Sequence, residues 1–190
     1  MKKLAMLALV SLVATACSSQ KEPAQTAVHG LETAVANARP EVERYAADRL
    51  TGMNDAVAAA KAKLDNGDFA GAMADAQAAS NTVIAAAEAA ATRKAGLSTE
   101  WAAFAAMPAT IGQIKAKLQE VEAMRRLPRG MDRTRINGAK SSLESLETLW
   151  EEASDAHEDG GLVVAVSKAR AAKPIADALM ATFGLVSPAK

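Results

Sequence analysis

The chain has 190 residues, with 22 basic and 22 acidic side chains; alanine makes up roughly a quarter of it and aromatics only 3%. This balance argues against a nucleic-acid binder, which carries a marked basic excess. A single cysteine, Cys17, rules out an internal disulfide, and abundant alanine with few β-branched clusters favours helix over strand.

The chain opens with Lys2 and Lys3, continues through the apolar residues 4 to 13 and reaches Ala14-Thr15-Ala16-Cys17. A short basic region, an apolar run of about ten residues and a small-residue cleavage site describe a bacterial export signal over residues 1–16, too short to span a bilayer. Two cleavages compete: ordinary signal peptidase after Ala16, or lipoprotein processing before Cys17. A lone thiol in an oxidising compartment is a reactive liability without a partner, which weighs towards lipidation. Residues 17–25, with the polar SSQKEPA after Cys17, read as the lipid-bearing cysteine and a flexible tether. Removing residues 1–16 takes two of the 22 basic residues and none of the 22 acidic ones, leaving a charge near −2.

Residues 26–190 read as a single all-α domain, an antiparallel bundle of long helices arranged as stacked hairpins. Helices are expected near 26–37, 40–65, 68–95, 98–126, 132–158 and 161–183, about five long ones and one short. Leu50, Met53, Val57, Ala60 and Leu64 fall in steps of three and four, the spacing of a straight packing seam. Phe69, Ala72, Ala76, Ala79 and Val83 repeat it, as do Trp101, Phe104, Ile111, Ile114, Leu118 and Val121; Leu143, Leu146, Trp150 and Ala153; and Leu162, Ala165, Ala169, Ala172, Ala176, Leu179 and Phe183. Expected stops are Asn66-Gly67, with Asp68 capping the next helix, Gly96 to Ser98, Pro128 to Gly130 before Asp132, and Gly160-Gly161. Pro40 should start a helix and Pro108 should kink or break one. Shifting the chain by about 93 residues superposes the hairpin near 43–90 on that near 136–183, Gly67 falling on Gly160, which points to one hairpin used twice.

GDFAGAM, residues 67–73, resembles the turn and second-helix start of tetratricopeptide repeats, with Gly67, Phe69, Ala72 and Ala79 in the matching places. The first-helix signature departs from that pattern, with Ala56, Ala59 and Ala60 where those repeats favour Trp, Leu and Gly. Residues 39–80, together with LPRGMDRTR at 127–135, resemble uncharacterised Ala-rich helical lipoproteins of Gram-negative bacteria. That resemblance implies a helical periplasmic fold and carries over no catalytic residue. The sequence around Cys17 resembles the lipobox of bacterial lipoproteins, although Ala14 stands where leucine is commonest. It implies a diacylglycerol on Cys17, and Ser18, where aspartate would favour inner-membrane retention, implies the outer membrane.

Asp65, Asn66 and Asp68 suggest a cation loop, but a calcium loop started at Asp65 would have Gly67, Phe69 and Ala76 at its third, fifth and twelfth positions, where oxygen ligands belong. The stretch reads as a helix corner. The two histidines, His29 and His157, make no Glu-x-x-His pair and no haem-attachment motif. His157 reads as a helix-end or partly exposed residue, with a Met53 and His157 haem pair as the minor alternative. Glu144, Glu147, Glu151, Glu152 and Asp155 read as a solvated helix face. No catalytic set, metal site or cofactor is expected. The one local charge anomaly is Arg125, Arg126, Arg129, Arg133 and Arg135 around a Pro-Gly corner, a candidate patch for an anionic partner. The expected role is a non-enzymatic scaffold or adaptor on the periplasmic face of the outer membrane, held by its N-terminal lipid and docked to an envelope protein. A small-molecule or haem-binding bundle is the alternative.

Overall fold

A computed structural model describes the backbone of residues 13–186 and the side chains of residues 20–186. Residues 1–12 of the expected export signal and the side chain of Cys17 lie outside that range. The helices are α1 (Val13–Tyr45), a 3-10 turn (Ala47–Arg49), α2 (Leu50–Asp65), α3 (Phe69–Ala103), α4 (Met107–Ala123), α5 (Arg133–Glu158) and α6 (Leu162–Phe183). The described chain is all-α, a packed helical bundle without strands. None of its helices is long and apolar enough to cross a membrane.

Three expected boundaries move. The expected tether and the expected short helix merge into α1, which runs through Pro23 and Pro40. The cause is a buried stripe at Ala24, Val28, Leu31, Val35, Val42 and Tyr45, in helical steps from the tether into the second expected helix. An interior proline costs about 3 kcal/mol, but breaking the helix at Pro40 would expose Val42, whose burial is worth about 1.5–3 kcal/mol, and Tyr45 besides. The break falls instead at Ala46, where the backbone leaves helical geometry at φ −146°, ψ 46°.

The corner expected at Gly96 to Ser98 is absent, because α3 continues to Ala103. Leu97 is buried on the line that runs from Ala90 to Phe104, and glycine in an exposed helical position costs only about 1 kcal/mol. The chain turns at Phe104–Ala106, through short-range bonds such as Phe104 N to the Trp101 oxygen at 2.9 Å. Pro108 then sits in the first turn of α4, where its missing N–H leaves no bond unmade. It breaks the helix as expected.

Residues up to Arg93 and from Lys94 onward form two compact units, and the boundary falls inside α3. Residues 91–96 are exposed on every face, so no side chain in that stretch packs into either core. In the first unit α1 packs on α2, with Lys61 Nζ on Glu32 Oε1 at 2.6 Å and Lys63 Nζ bridging to Asp75 of α3 at 2.9 Å. Its core interleaves Ala24, Ala46, Ala60, Ala72, Ala76, Ala79, Ala86 and Ala90 with Val28, Leu31, Val35, Val42, Tyr45, Met53 and Val83, all buried. In the second unit α5 and α6 form the most extensive helix contact, and α4 packs on both. That core holds Phe104, Met107, Ile114, Leu118, Val121, Leu143, Leu146, Leu179 and Phe183.

The corners at Gly67 and Gly160 have the same construction. Gly67 (φ 77°) and Gly160 (φ 74°) both occupy the left-handed region. Gly67 N donates to Leu64 O at 3.1 Å and Asp68 N to Lys63 O at 3.0 Å; Gly160 N donates to His157 O at 3.0 Å and Gly161 N to Ala156 O at 2.7 Å. These are the paired bonds that satisfy the last carbonyls of a helix when glycine reverses the backbone. Asp68 Oδ1 accepts from Gly71 N at 2.9 Å, so its carboxylate caps α3. A side chain at Gly71 would collide with that cap, since its Cβ would lie 2.1 Å from Asp68 Oδ2.

Candidate functional site

The arginine segment occupies the connection from α4 to α5. Helix α4 ends at Ala123, with Met124 already extended at ψ 130°. Met131 N then donates to Pro128 O at 3.0 Å across a turn that places Gly130 at φ 85°. Asp132 caps α5, its Oδ1 accepting from Arg135 N at 2.7 Å. Leu127 and Met131 pack against the core of the second unit and pin the connection between them.

Arg135 is partly committed to this frame, its Nη1 donating to Gly130 O at 2.8 Å. Arg125, Arg126, Arg129 and Arg133 are exposed and make no hydrogen bond or ion pair among the described residues. The acids closest in sequence on α4 are already engaged: Glu120 takes Lys117 Nζ at 2.8 Å and Glu122 takes Lys140 Nζ at 2.7 Å. The hydrogen bond and charge of Glu122 hold the Lys140 ammonium above its ordinary value. Asp132 uses its carboxylate on the cap, and among the described residues no acid forms an ion pair with Arg125, Arg126, Arg129 or Arg133.

The fold also divides the arginines. Arg129, Arg135 and Lys117 line a groove of ≈ 1080 Å³. Its apolar surface comes from Val121 of α4, Ala139 of α5 and Pro174, Ile175, Ala178, Leu179 and Phe183 of α6. Gly184, which ends α6 at φ 63°, lines the same groove, so the arginine corner and the end of α6 share one end of the second unit. Arg125 and Arg133 line a smaller cavity of ≈ 200 Å³ with Glu122, Leu127 and Ile136.

The remaining candidates resolve into structural roles. Met53 is enclosed in the core of the first unit and His157 belongs to the second, so neither unit by itself assembles the haem pair. The His157 ring stacks on Trp101 with centroids 4.5 Å apart and an interplanar angle of 11°, and Trp101 stacks on Trp150 at 5.4 Å and 2°. Trp101 and Trp150, which the spacing places on packing seams, are half-buried members of this ring column. His29 is exposed and 3.8 Å from Glu32 Oε2. Of the acids on α5, Glu147 holds Lys115 of α4 at 2.8 Å and Glu152 holds Lys168 of α6 at 2.6 Å. Glu144, Glu151 and Asp155 are exposed. Among the described residues no group of three or more His, Cys, Asp or Glu side chains is placed to hold a metal ion.

Fold and corner together define an all-α protein with a pinned, arginine-rich loop beside a groove of mixed polar and apolar lining. Comparison with protein-family models, with curated proteins and with solved structures finds no match to this chain.

Proposed function

We propose that this chain is a lipid-anchored lipoprotein on the periplasmic face of the outer membrane, acting as a non-enzymatic scaffold or adaptor that docks an acidic envelope partner at its arginine corner. The observation that carries the docking role is the set of exposed Arg125, Arg126, Arg129 and Arg133, without a partnering acid among the described residues, on a connection that Leu127 and Met131 hold against the core. Guanidinium forks in a fixed frame recognise carboxylates at low ordering cost. The anchor rests on the apolar run before Ala14-Thr15-Ala16-Cys17 and on Ser18 after it.

The anchor is tested by fractionating cells that express Cys17→Ser: the variant leaves the membrane fraction with its helical content unchanged, and unaltered membrane association would refute it. The adaptor role is tested by crosslinking and affinity capture from the native envelope with the wild-type chain and with Arg125→Glu/Arg126→Glu. A captured protein lost from the charge-reversed variant supports docking; no crosslinked partner counts against it. A second reading, a binder of small molecules, is favoured by the groove beside Arg129.

A further inference from the structure

The groove has chemistry of its own, independent of the anchor. Its lining includes three basic side chains, Arg129 and Arg135 from the connection before α5 and Lys117 of α4, with Gly184 at the end of α6. From Gly184 the apolar wall runs back along α6 through Phe183, Leu179, Ala178 and Ile175 to Pro174, about 15 Å at the helical rise per residue. Cationic side chains beside an apolar wall on α6 are complementary to a molecule with one anionic head and one hydrocarbon tail.

We propose that this groove binds a single-chain fatty carboxylate, its head on the Arg129 guanidinium and its tail against α6. Among the described residues Arg129 has no hydrogen-bond or ion-pair partner, so its fork is open to both carboxylate oxygens. Arg135 adds charge while its Nη1 stays bonded to Gly130 O. Pockets of about 300–1,000 Å³ bury most of a drug-sized ligand, and the ≈ 1080 Å³ of this groove is of that order.

The test titrates cis-parinarate, a fluorescent fatty carboxylate, into the purified chain below its micellar concentration. The expected result is one saturable site per chain, weakened at least tenfold by Arg129→Glu and by Ala178→Glu and unchanged by Arg44→Glu, an exposed position on α1. Arg129 and Ala178 are themselves exposed, and an unchanged far-UV spectrum and urea midpoint establish that each variant folds. A matched fatty alcohol should compete at least tenfold more weakly than oleate, and acetate should not compete. Absence of saturable binding overturns the proposal, as does equal competition by the alcohol or an Ala178→Glu variant that binds like wild type. Concentration-dependent dimers dissolved by Arg129→Glu, with no carboxylate bound, would instead give the groove to a second copy of the chain.

Discussion

Met53 and Leu146 are fully enclosed, one in each unit, and stand 93 residues apart at equivalent places before the two glycine corners. Truncating either to alanine removes a large apolar side chain from a site with no solvent path, a change that costs about 2–5 kcal/mol. With a urea slope of about 1.5 kcal/mol per M, suited to a small domain, a 3 kcal/mol loss moves the midpoint down by about 2 M. The chain has two tryptophans, and both lie in the unit that begins at Lys94. Tryptophan emission therefore follows the second unit alone, while far-UV circular dichroism follows both. Leu146→Ala should shift the emission transition by that full amount. Met53→Ala should leave emission nearly in place and split the dichroism curve, with its early phase belonging to the first unit. Equal displacement of the emission midpoint by both variants would refute the boundary at Arg93 as a limit of cooperativity, and a loss below about 1 kcal/mol for Leu146→Ala would refute the packing ascribed to it.

Gly96 and Gly160 should respond oppositely to alanine. A Cβ on Gly96 meets nothing within 4 Å in an exposed helical turn, so Gly96→Ala should stabilise by about 0.5–1 kcal/mol in urea melts. At Gly160 (φ 74°) the same change forces alanine into the left-handed region and should cost about 1–2 kcal/mol; a neutral result would show that the corner relaxes. The acid limb of stability should carry two identifiable carboxylates. The hydrogen bond and charge of Lys61 hold Glu32 below its ordinary value, and the hydrogen bond from Arg170 does the same for Glu100. A carboxyl lowered by folding adds stability that is complete above its ordinary value of 4.5 and lost as pH falls through the lower folded one. Glu32→Gln/Glu100→Gln should therefore begin less stable at pH 7 and lose less than wild type below pH 4.5, and parallel pH curves would contradict this account.

The corners at Gly67 and Gly160 were legible in the sequence because a left-handed cap leaves a local signature: a glycine just past the end of an apolar seam. Gly96 carries a similar signature without its consequence. Telling them apart requires knowing that Leu97 continues the stripe from Ala90 to Phe104. Pro40 misled for the same reason, since the local cost of proline is visible and the opposing burial of Val42 and Tyr45 is not. The unit boundary had a trace in the sequence, the absence of any large apolar residue from 91 to 96, but alanine at 91 and 95 blends into the surrounding helix. The arginine corner was evident from composition, whereas its lack of acid partners depended on where Lys117 and Lys140 reach. The acids of α5 showed the converse: their lysines come from neighbouring helices, out of sight of spacing within one helix. Trp150 and His157 are seven residues apart on one face of α5, so part of the ring column was open to inference; Trp101 between them was not.

The alanine lining of the first unit bears on how it meets temperature. The heat capacity of unfolding grows by about 0.45 cal/K/mol for each Å² of apolar surface newly hydrated, and Ala60, Ala72, Ala76, Ala79, Ala86 and Ala90 expose far less on melting than Phe104, Ile114, Leu118, Leu146 and Phe183. Because alanine takes a larger share of the buried positions in the first unit than in the second, its stability curve is expected to be the flatter of the two. The second unit, with its branched and aromatic interior, follows the steeper arc.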